Sequence, residues 1–416
     1  MRCCKTPGRV SPVGAKDDIA FWAVGVATVR GDVMSILHQK IDTSRGRVYS
    51  FDMTGNTAAF DPAKPYNDLP PLPPQHTLET AKVLKAVIDA RSELAALNTA
   101  CRLIPNPEII TSTIPLREAQ ASTEIENIVT TNDELFRAQW SIDPEPTPAT
   151  KEALRYRDAL RRGVDLIADR PVSEKVAVEV CSTLQGGQAT LRSTPGTYIG
   201  DPVTGTRAYT PPEGLDVLQR HLSAWERYIY SDHGLDPLVL MAVTHYQFEA
   251  IHPFYDGNGR TGRILNILLL LQEKVLSLPV LYLSGTIVDR KAEYYRLLRA
   301  VTADGAWEQW ILFMVNAVTE SARSTSLLID DLRTLQDTTT ARVRETGISP
   351  AAELAELLFV QPYVRITDVI DAGLAKRQTA SMWLSQLVEA GILEEQKAGR
   401  SKVFLNTAAL EVLTRR

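Results

Sequence analysis

Two strongly apolar stretches near the middle of the chain predict a pair of buried helices. The first, LVLMAVTHYQFEAI, follows Asp236-Pro237, an N-cap residue and a proline suited to a first helical turn. The second, ILNILLLLQEK, belongs to a helix that starts at about Asn258 or Gly259. Between them lies a polar, glycine-rich sequence, HPFYDGNGRTGR, at residues 252–263. The pattern therefore places this polar sequence where a loop meets a helix N-terminus.

Helical patterns also fill the sequence ahead of this pair. From Thr77, the sequence ETAKVLKAVIDARSELAALNTA has apolar positions at helical spacing. Residues 116–136, LREAQASTEIENIVTTNDELF, predict one amphipathic helix whose apolar positions are Ile125, Ile128, Val129 and Leu135. Prolines at every second position then predict a linker into a mostly helical core: Pro144, Pro146 and Pro148.

A turn-rich pattern interrupts the helical core at residues 192–212. The sequence RSTPGTYIG, continuing to Pro211-Pro212, predicts a β-hairpin. Further along, LYLSGTIV is strand-like and is followed by a helix that carries Tyr294 and Tyr295.

The section from about Ser349 is organised differently, as three helices and a hairpin. We expect helices at 351–359, from 366 and at 377–390, and a hairpin formed by 392–395 and 402–405. This arrangement is typical of a winged helix, whose third helix would present Gln378, Thr379 and Ser381 and whose wing would present Lys397, Arg400 and Lys402. Basic and acidic residues are equal in number here, so DNA contact and a protein-docking or dimerising role stay open as alternatives.

Composition is that of an ordinary soluble globular protein, with 44% hydrophobic and 23% charged residues and a formal charge of −5. At 416 residues, two or three domains are expected. The longest aliphatic run, residues 264–271, is well below the roughly 20 residues that span a bilayer, and no secretory signal is evident. The cysteines show neither metal-ligand spacing nor a disulfide framework: Cys3, Cys4, Cys101 and Cys181. We therefore expect a cytoplasmic protein with no membrane association.

The first 33 residues show no clear element and end just before Met34. We therefore hypothesise that translation starts at Met34 rather than Met1, which an N-terminal peptide from the native protein would decide. A proline-rich run at 68–74, DLPPLPP, is expected to be extended and semi-rigid.

The polar residues of 252–263 suit phosphate chemistry. Gly257 and Gly259 let the backbone approach an anion at a helix N-terminus, where free N–H groups and the helix dipole favour negative charge. Asp256 is a hard oxygen ligand, suited to Mg²⁺ held jointly with substrate phosphates. His252 is the side chain in this segment that can take a proton from a hydroxyl near neutral pH. Phe254, by contrast, is expected to anchor the loop in the core.

Two arginines complete the set, since Arg260 and Arg263 lie three apart and can hold a polyphosphate together. The spacing His-x-Phe-x-Asp-Gly-Asn-Gly-Arg-x-x-Arg resembles the complete signature of the Fic family. The resemblance implies transfer of AMP from ATP to a Ser, Thr or Tyr hydroxyl of a target protein or of the chain itself, with His252 as the catalytic base and Mg²⁺ at Asp256. It also implies that the nucleotide is bound by the run Gly257, Asn258, Gly259, Arg260, Thr261, Gly262 and Arg263.

A second motif lies upstream, in the predicted helix of residues 116–136. The sequence STEIEN, from Ser122 to Asn127, resembles the inhibitory motif of Fic proteins, Ser/Thr-x-x-x-Glu-Gly/Asn. Ser122 and Glu126 are four apart and would share a helix face. The resemblance implies that Glu126 pairs with Arg263 and so occupies the guanidinium that the ATP γ-phosphate needs. An N-terminal position of the motif implies inhibition in cis.

The resemblance also assigns the hairpin and the two tyrosines. The hairpin matches the flap that covers the active site and pairs backbone to backbone with a target peptide through Thr197, Tyr198 and Ile199. Ile199 stands where many relatives carry arginine, which puts contacts made by the flap in question. Tyr294 and Tyr295 match tyrosines that line the nucleotide pocket.

Taken together, a mainly α protein is expected: an all-helical Fic core with a small β-hairpin flap, plus a C-terminal winged-helix domain. The expected division is an irregular or poorly ordered extension (1–68), a helical domain with the inhibitory helix (69–145), the catalytic core (146–335) and the winged helix (345–416). Relatives often dimerise, so a homodimer is one expected state. Two alternatives stay open, a nucleotide-sensing DNA-binding transcriptional regulator and a Fic enzyme that removes AMP. The intact His252 favours a transferase over a pure sensor.

Overall fold

The computed structural model describes residues 48–49, 59–140, 142, 145–200, 204–398 and 401–415. Within these residues the chain forms fifteen α-helices: α1 (Ala81–Leu103), α2 (Glu108–Ile125), α3 (Asn132–Gln139), α4 (Pro148–Asp169), α5 (Glu174–Gln185), α6 (Leu215–Ile229), α7 (Pro237–Ile251), α8 (Asn258–Gln272), α9 (Leu283–Asp289), α10 (Lys291–Asp304), α11 (Trp307–Glu345), α12 (Ala351–Val360), α13 (Ile366–Asp371), α14 (Arg377–Glu389) and α15 (Thr407–Thr414).

Seven short strands accompany the helices in the described residues: β1 (Val48–Tyr49), β2 (Ala59–Phe60), β3 (Ile199–Gly200), β4 (Arg207–Tyr209), β5 (Tyr363–Val364), β6 (Glu394–Ala398) and β7 (Ser401–Leu405). They form two antiparallel pairs, β1–β2 and β3–β4, and a three-stranded antiparallel sheet in the order β5-β7-β6. The predicted mainly α class is therefore confirmed, with the β3–β4 hairpin inserted into the helical core where the turn-rich sequence predicts it.

Helices α7 and α8 lie at the centre of the molecule, as their apolar sequences predict. Asp236 caps α7, because its carboxylate accepts a hydrogen bond of 2.9 Å from the Leu238 N–H. Every residue of α7 except Pro237 and Glu249 is buried. The loop that joins α7 to α8 is thus held at both ends by elements packed on all sides. None of the helices in the described ranges is long and apolar enough to cross a bilayer.

The single helix predicted for residues 116–136 is wrong. Helix α2 begins earlier, at Glu108, and ends at Ile125, and a break separates it from α3. The chain turns at Asn127, whose φ of 62° lies in the left-handed region and whose side-chain oxygen accepts a hydrogen bond from Lys291. The capping box of Thr131 and Glu134 then starts α3. Val129, expected on the buried face, is 69% exposed in this break.

The strand-like sequence LYLSGTIV is also helical in the structure, as α9. The predicted strand is therefore wrong, and Glu118 of α2 gives the reason. Its buried carboxylate accepts hydrogen bonds from both the N–H and the hydroxyl of Ser284 and so holds the first turn of α9. A contact across 166 residues decides the local structure here, so the β-propensity of the sequence is overridden. The helix predicted from Thr77 is present as α1, which begins at Ala81 after its N-cap Thr80. Pro148, the last proline of the predicted linker, is the first residue of α4.

The C-terminal section contains the predicted three helices, α12 to α14, and the predicted hairpin, β6–β7. Strand β5 and helix α15 were missing from the prediction. This section packs on the N-terminal helices: the Tyr363 hydroxyl donates to the Asp133 carboxylate at 2.6 Å, and the Tyr363 ring stacks on Trp140. Arg117 of α2 donates to the backbone oxygen of Arg415 at 2.7 Å. The winged-helix assignment and the proposed domain division stay predictions.

Several predictions concern residues outside the described ranges. They are the start at Met34, most of the 1–68 extension, and the side chains of Cys3, Cys4, Pro144 and Arg400.

Candidate active site

The 252–263 segment consists of a tight connection between α7 and α8, residues 252–257, and the first turns of α8. His252 ends α7 with φ 49° and ψ 59°, and Gly257 precedes α8 with φ 80°. Glycine adopts this left-handed conformation without strain, and at this position it exposes the first N–H groups of α8. Asn258 holds the loop, since its side-chain amide accepts from the Phe254 N–H and donates to the Phe254 oxygen, both at 2.8 Å. Phe254 is buried, as predicted.

Arg192 fastens this connection to the hairpin. Its buried guanidinium donates to the backbone oxygens of Ile251 at 3.0 Å, His252 at 2.6 Å and Pro212 at 2.6 Å. The Arg192 N–H also donates to the Pro253 oxygen at 2.9 Å. Three of these bonds go to backbone oxygens at and just after the end of α7, which the helix leaves unpaired, and the bond to Pro212 joins them to the hairpin. The sequence analysis missed this residue, because a lone arginine ahead of a hairpin carries no signal for such a role.

His252 sits on the wall of a cavity of about 290 Å³ at the N-terminus of α8. The cavity is lined by Glu126, Ile128, Glu152, His252, Tyr255, Asp256, Gly257, Asn258, Gly259 and Arg260. Burial lowers the pKa of His252 well below its ordinary value, against the opposing effect of a hydrogen bond to the Glu249 backbone. The imidazole is therefore neutral near pH 7, which is the form that accepts a proton.

The rest of the cavity wall is suited to anions. The helix N-terminus supplies backbone N–H groups and the positive end of a dipole. Arg260 is buried and is held by Glu152 at 2.9 Å and by Asp256 at 3.4 Å. The Asp256 side chain is itself 71% exposed. Glu152 was missed by the sequence analysis because it lies on α4, 108 residues from Arg260.

Arg263 lies one turn further along α8 and is covered by the upstream motif. Its Nε donates to the Ser122 hydroxyl at 2.8 Å, and its Nη2 donates to the Ser122 backbone oxygen at 3.0 Å and to Glu126 Oε1 at 2.9 Å. Burial alone would raise the pKa of Glu126, but the guanidinium of Arg263 outweighs it and holds that pKa well below the ordinary value. The pair is therefore charged at neutral pH, and the Glu126 carboxylate faces the cavity.

The other residues expected to bind nucleotide are placed differently. The side chain of Asn258 is used within the loop, and Thr261 and Gly262 are buried away from the cavity. Tyr294 is buried and hydrogen-bonds His245 at 2.7 Å, so both side chains are packed in the core. Tyr295 and Ile199 line a second cavity, between the hairpin and α10.

The hairpin covers the end of α7 as well. Ile199 of β3 pairs with Tyr209 of β4, whose hydroxyl donates to the backbone oxygen of Ala250 at 2.8 Å. Tyr198 is buried, with the Arg207 guanidinium 4.8 Å from its ring centre. Thr197 precedes it in the loop that leads into β3. The Tyr255 hydroxyl accepts hydrogen bonds from the N–H groups of Ser193 and Thr194, at 2.9 and 3.3 Å. These bonds join the α7–α8 connection to the residues that lead into the hairpin.

Three family models match successive parts of the chain. Residues 84–165 match the N-terminal domain of the Fic/DOC family, and residues 181–270 match the Fic/DOC family domain itself. Residues 335–409 match the C-terminal domain of SoFic-like protein adenylyltransferases. Together the three ranges cover more than half of the chain.

The chain belongs to the Fic family. Curated relatives include "Protein adenylyltransferase Fic" of Drosophila melanogaster, 41% identical over 63 residues, and "Protein adenylyltransferase fic-1" of Caenorhabditis elegans, 39% identical over 64 residues. Each match covers 15% of this chain but only 13% and 11% of the relatives, so the chain spans a small part of their length.

A solved structure of a Fic family protein from Desulfovibrio desulfuricans G20 shares the fold. The similarity covers 80% of this chain and 98% of that one, with a TM-score of 0.51 and 21% identity.

Proposed function

We propose that this Fic protein transfers AMP from ATP to a Ser, Thr or Tyr hydroxyl of a protein. The observation that carries the proposal is the first cavity, in which the neutral imidazole of His252 faces the N-terminus of α8. In the proposed step, His252 takes the proton of the hydroxyl while the hydroxyl oxygen attacks the α-phosphorus in line. The bond between the α-phosphorus and the bridging oxygen breaks, and pyrophosphate leaves. Positioning and fixed positive charge supply most of the rate enhancement in such a transfer.

The phosphates are placed by the first turn of α8. The N–H groups around Gly257 and Gly259 and the guanidinium of Arg260 are available on the cavity wall. Because Glu152 already fixes Arg260, this guanidinium needs little ordering when a phosphate binds.

Asp256 fits a Mg²⁺ ion shared with the nucleotide. Its carboxylate is exposed at the cavity, and within the described residues it meets the Arg260 guanidinium at the long distance of 3.4 Å. Magnesium keeps several waters and often takes only one or two protein carboxylates beside substrate phosphates, so a single aspartate is a sufficient donor set. Bound there, the ion would neutralise part of the phosphate charge.

We propose that Glu126 inhibits this reaction in cis. Its carboxylate occupies Arg263, a guanidinium that is otherwise placed to bind the outer phosphate of ATP. The two ligands compete for the same N–H groups, and the intramolecular one is present at high effective concentration. Asn127 supports this position of Glu126, because its hydrogen bond to Lys291 holds the turn after α2.

The target hydroxyl would reach the cavity along the hairpin. Strand β3 can pair with an extended peptide through its backbone, which orients a side chain while demanding little of the peptide sequence. Ile199 contributes an apolar side chain to that surface, so no arginine contact is expected there.

The nature of the transferred group tests the proposal directly. Full-length Glu126→Gly protein is incubated with Mg²⁺ and ATP labelled at either the α- or the γ-phosphate. We expect α-label to stay on protein, γ-label to be released in pyrophosphate, and the bound mass to match AMP. Retention of γ-label would indicate phosphorylation instead. Release of AMP from a pre-labelled chain, without transfer from ATP, would favour the AMP-removing alternative.

We also propose that the C-terminal section contacts nucleic acid through the start of α14. Lys376, Arg377 and Gln378 are exposed there, and Lys397 is exposed on the neighbouring hairpin. With full-length protein we expect a DNA mobility shift that weakens with salt, and further weakening when Lys376 and Arg377 are both replaced by alanine. A Glu353→Ala and Glu356→Ala protein is the control. If the DNA mobility shift is unchanged when Lys376 and Arg377 are replaced, a protein-docking role for this surface is favoured instead.

A further inference from the structure

The second cavity has walls suited to a flat, apolar group. It has a volume of about 360 Å³, within the range of small-molecule sites, and lies between the β3–β4 hairpin, α7 and α10. Apolar and aromatic side chains dominate its wall, including Ile199 of the hairpin and Tyr295 and Leu298 of α10. Rings with π-faces pack well against such surfaces.

Glu249 links this cavity to α8, the helix whose first turn is proposed to bind phosphate. Along α8, a Cβ added at Gly259 would lie 2.4 Å from the carboxylate of Glu126, and one at Gly262, a turn later, 2.4 Å from the carboxyl of Glu249. The first cavity therefore faces one turn of α8, and Glu249, which lines the second, packs on the next. We therefore expect a nucleotide with its phosphates at the first turn to place its base in the second cavity.

Glu249 is the acidic residue on the wall of this cavity, whose lining in the described residues also includes Arg296 and Arg299. It lies three residues before His252 on α7, and its Oε1 is buried without a hydrogen-bond partner in the described part of the chain. Two other polar groups on the wall are already satisfied: Tyr246 bonds Thr302 at 2.9 Å, and Tyr209 donates to the Ala250 oxygen. Because Oε1 itself packs against Gly262, a ligand can reach this carboxyl only from the side that lines the cavity. A largely buried carboxyl without a donor is costly, so a ligand that supplies an N–H from that side is favoured.

We propose that the carboxyl of Glu249 accepts a hydrogen bond from the exocyclic amino group of adenine and so selects ATP. This inference rests on the proposed function, since it assumes a nucleotide in the first cavity. Burial raises the pKa of Glu249, against the opposing effect of Arg263. The proposal does not depend on its ionisation, because a carboxyl oxygen accepts an N–H in either state. Gly262 is part of the same arrangement, as any side chain there would displace the carboxyl.

The test compares two nucleotides that differ only in that amino group. Glu126→Gly protein is titrated calorimetrically with ATP and with purine riboside triphosphate, which lacks the amino group. We expect ATP to bind about tenfold more tightly, as one hydrogen bond to a buried carboxyl allows. Glu249→Met, similar in size and without an acceptor oxygen, is expected to bring the ratio close to one. Glu249→Gln keeps an acceptor oxygen and should retain part of the preference.

The outcomes separate this inference from the proposed function. Absence of binding by either nucleotide to the Glu126→Gly protein contradicts the proposed function itself. Binding of both with equal affinity, or a ratio that Glu249→Met leaves unchanged, overturns the role of Glu249. Equal weakening of both nucleotides in that variant also overturns it, because it indicates lost packing. If the Glu249→Met protein does not fold, Glu249→Asp replaces it in the test, since a carboxyl shortened by one methylene must lower the ratio of the two affinities.

Discussion

Replacing Glu126 with glycine is expected to raise self-labelling with α-labelled ATP by about ten- to a hundredfold over the wild-type chain. The carboxylate holds Arg263 in its buried ion pair, so only the fraction of molecules in which it has moved away can bind the outer phosphate productively. Removal of the carboxylate makes every molecule competent. An increase of that size corresponds to about 1.4–2.8 kcal/mol.

The geometry around Arg263 supports an increase rather than a collapse of the site. Without Glu126, the Ser122 hydroxyl and backbone oxygen still hold the guanidinium through its Nε and Nη2. Arg263 therefore stays oriented and gains a free N–H group. Glycine is also compatible with the position, which lies at the end of α2 rather than inside it.

A glycine at Glu124 is the matched control for this variant. Glu124 lies in the last turn of α2, two residues away, and its carboxylate accepts from Gln120 at 2.8 Å. Loss of helix stability alone would raise labelling in both variants, whereas loss of competition raises it only for Glu126→Gly. Equal labelling of wild type and Glu126→Gly would contradict the inhibitory role.

Much of the site is visible in the sequence because its parts are local. The two helices α7 and α8 and the loop between them can be predicted from Asp236-Pro237, two apolar runs and the glycines between those runs. All of these signals lie within the two helices and their connection. Local rules of capping, turn formation and helix dipoles are sufficient for such a segment. The pairing of Glu126 with Arg263 required the family resemblance, since 137 residues separate the two.

The features that the sequence did not indicate depend on distant contacts. The turn at Asn127 is held by a hydrogen bond from Lys291. Helix α9 starts where the Glu118 carboxylate accepts a hydrogen bond from the Ser284 N–H. Arg192 reaches three backbone oxygens that no pattern identifies beforehand. In each case a side chain far away in sequence decides a local conformation, which single-sequence propensity does not contain.

Adding His252→Ala to the Glu126→Gly protein is expected to lower transfer by about a hundred- to ten-thousandfold, the range for loss of a general base. The reason lies in the arrangement of charge. Burial keeps the imidazole neutral, and the other candidate groups on the cavity wall are engaged. The Tyr255 hydroxyl already accepts two backbone N–H groups, and the carboxylates that remain in this variant, Glu152 and Asp256, are held by Arg260. An attacking hydroxyl would then have to lose its proton to water.

Binding and transfer must separate in this variant if His252 acts as a base. We expect Mg·ATP to bind the double variant with an affinity within about threefold of that of Glu126→Gly, because the phosphates are held by the start of α8 and by Arg260 rather than by the imidazole. His76→Ala in the same background is the control, since His76 is exposed and does not line the cavity. Unchanged labelling in the double variant would remove the assigned role. A parallel loss of ATP binding would make His252 a nucleotide-binding residue instead, because a base is needed only when the hydroxyl attacks.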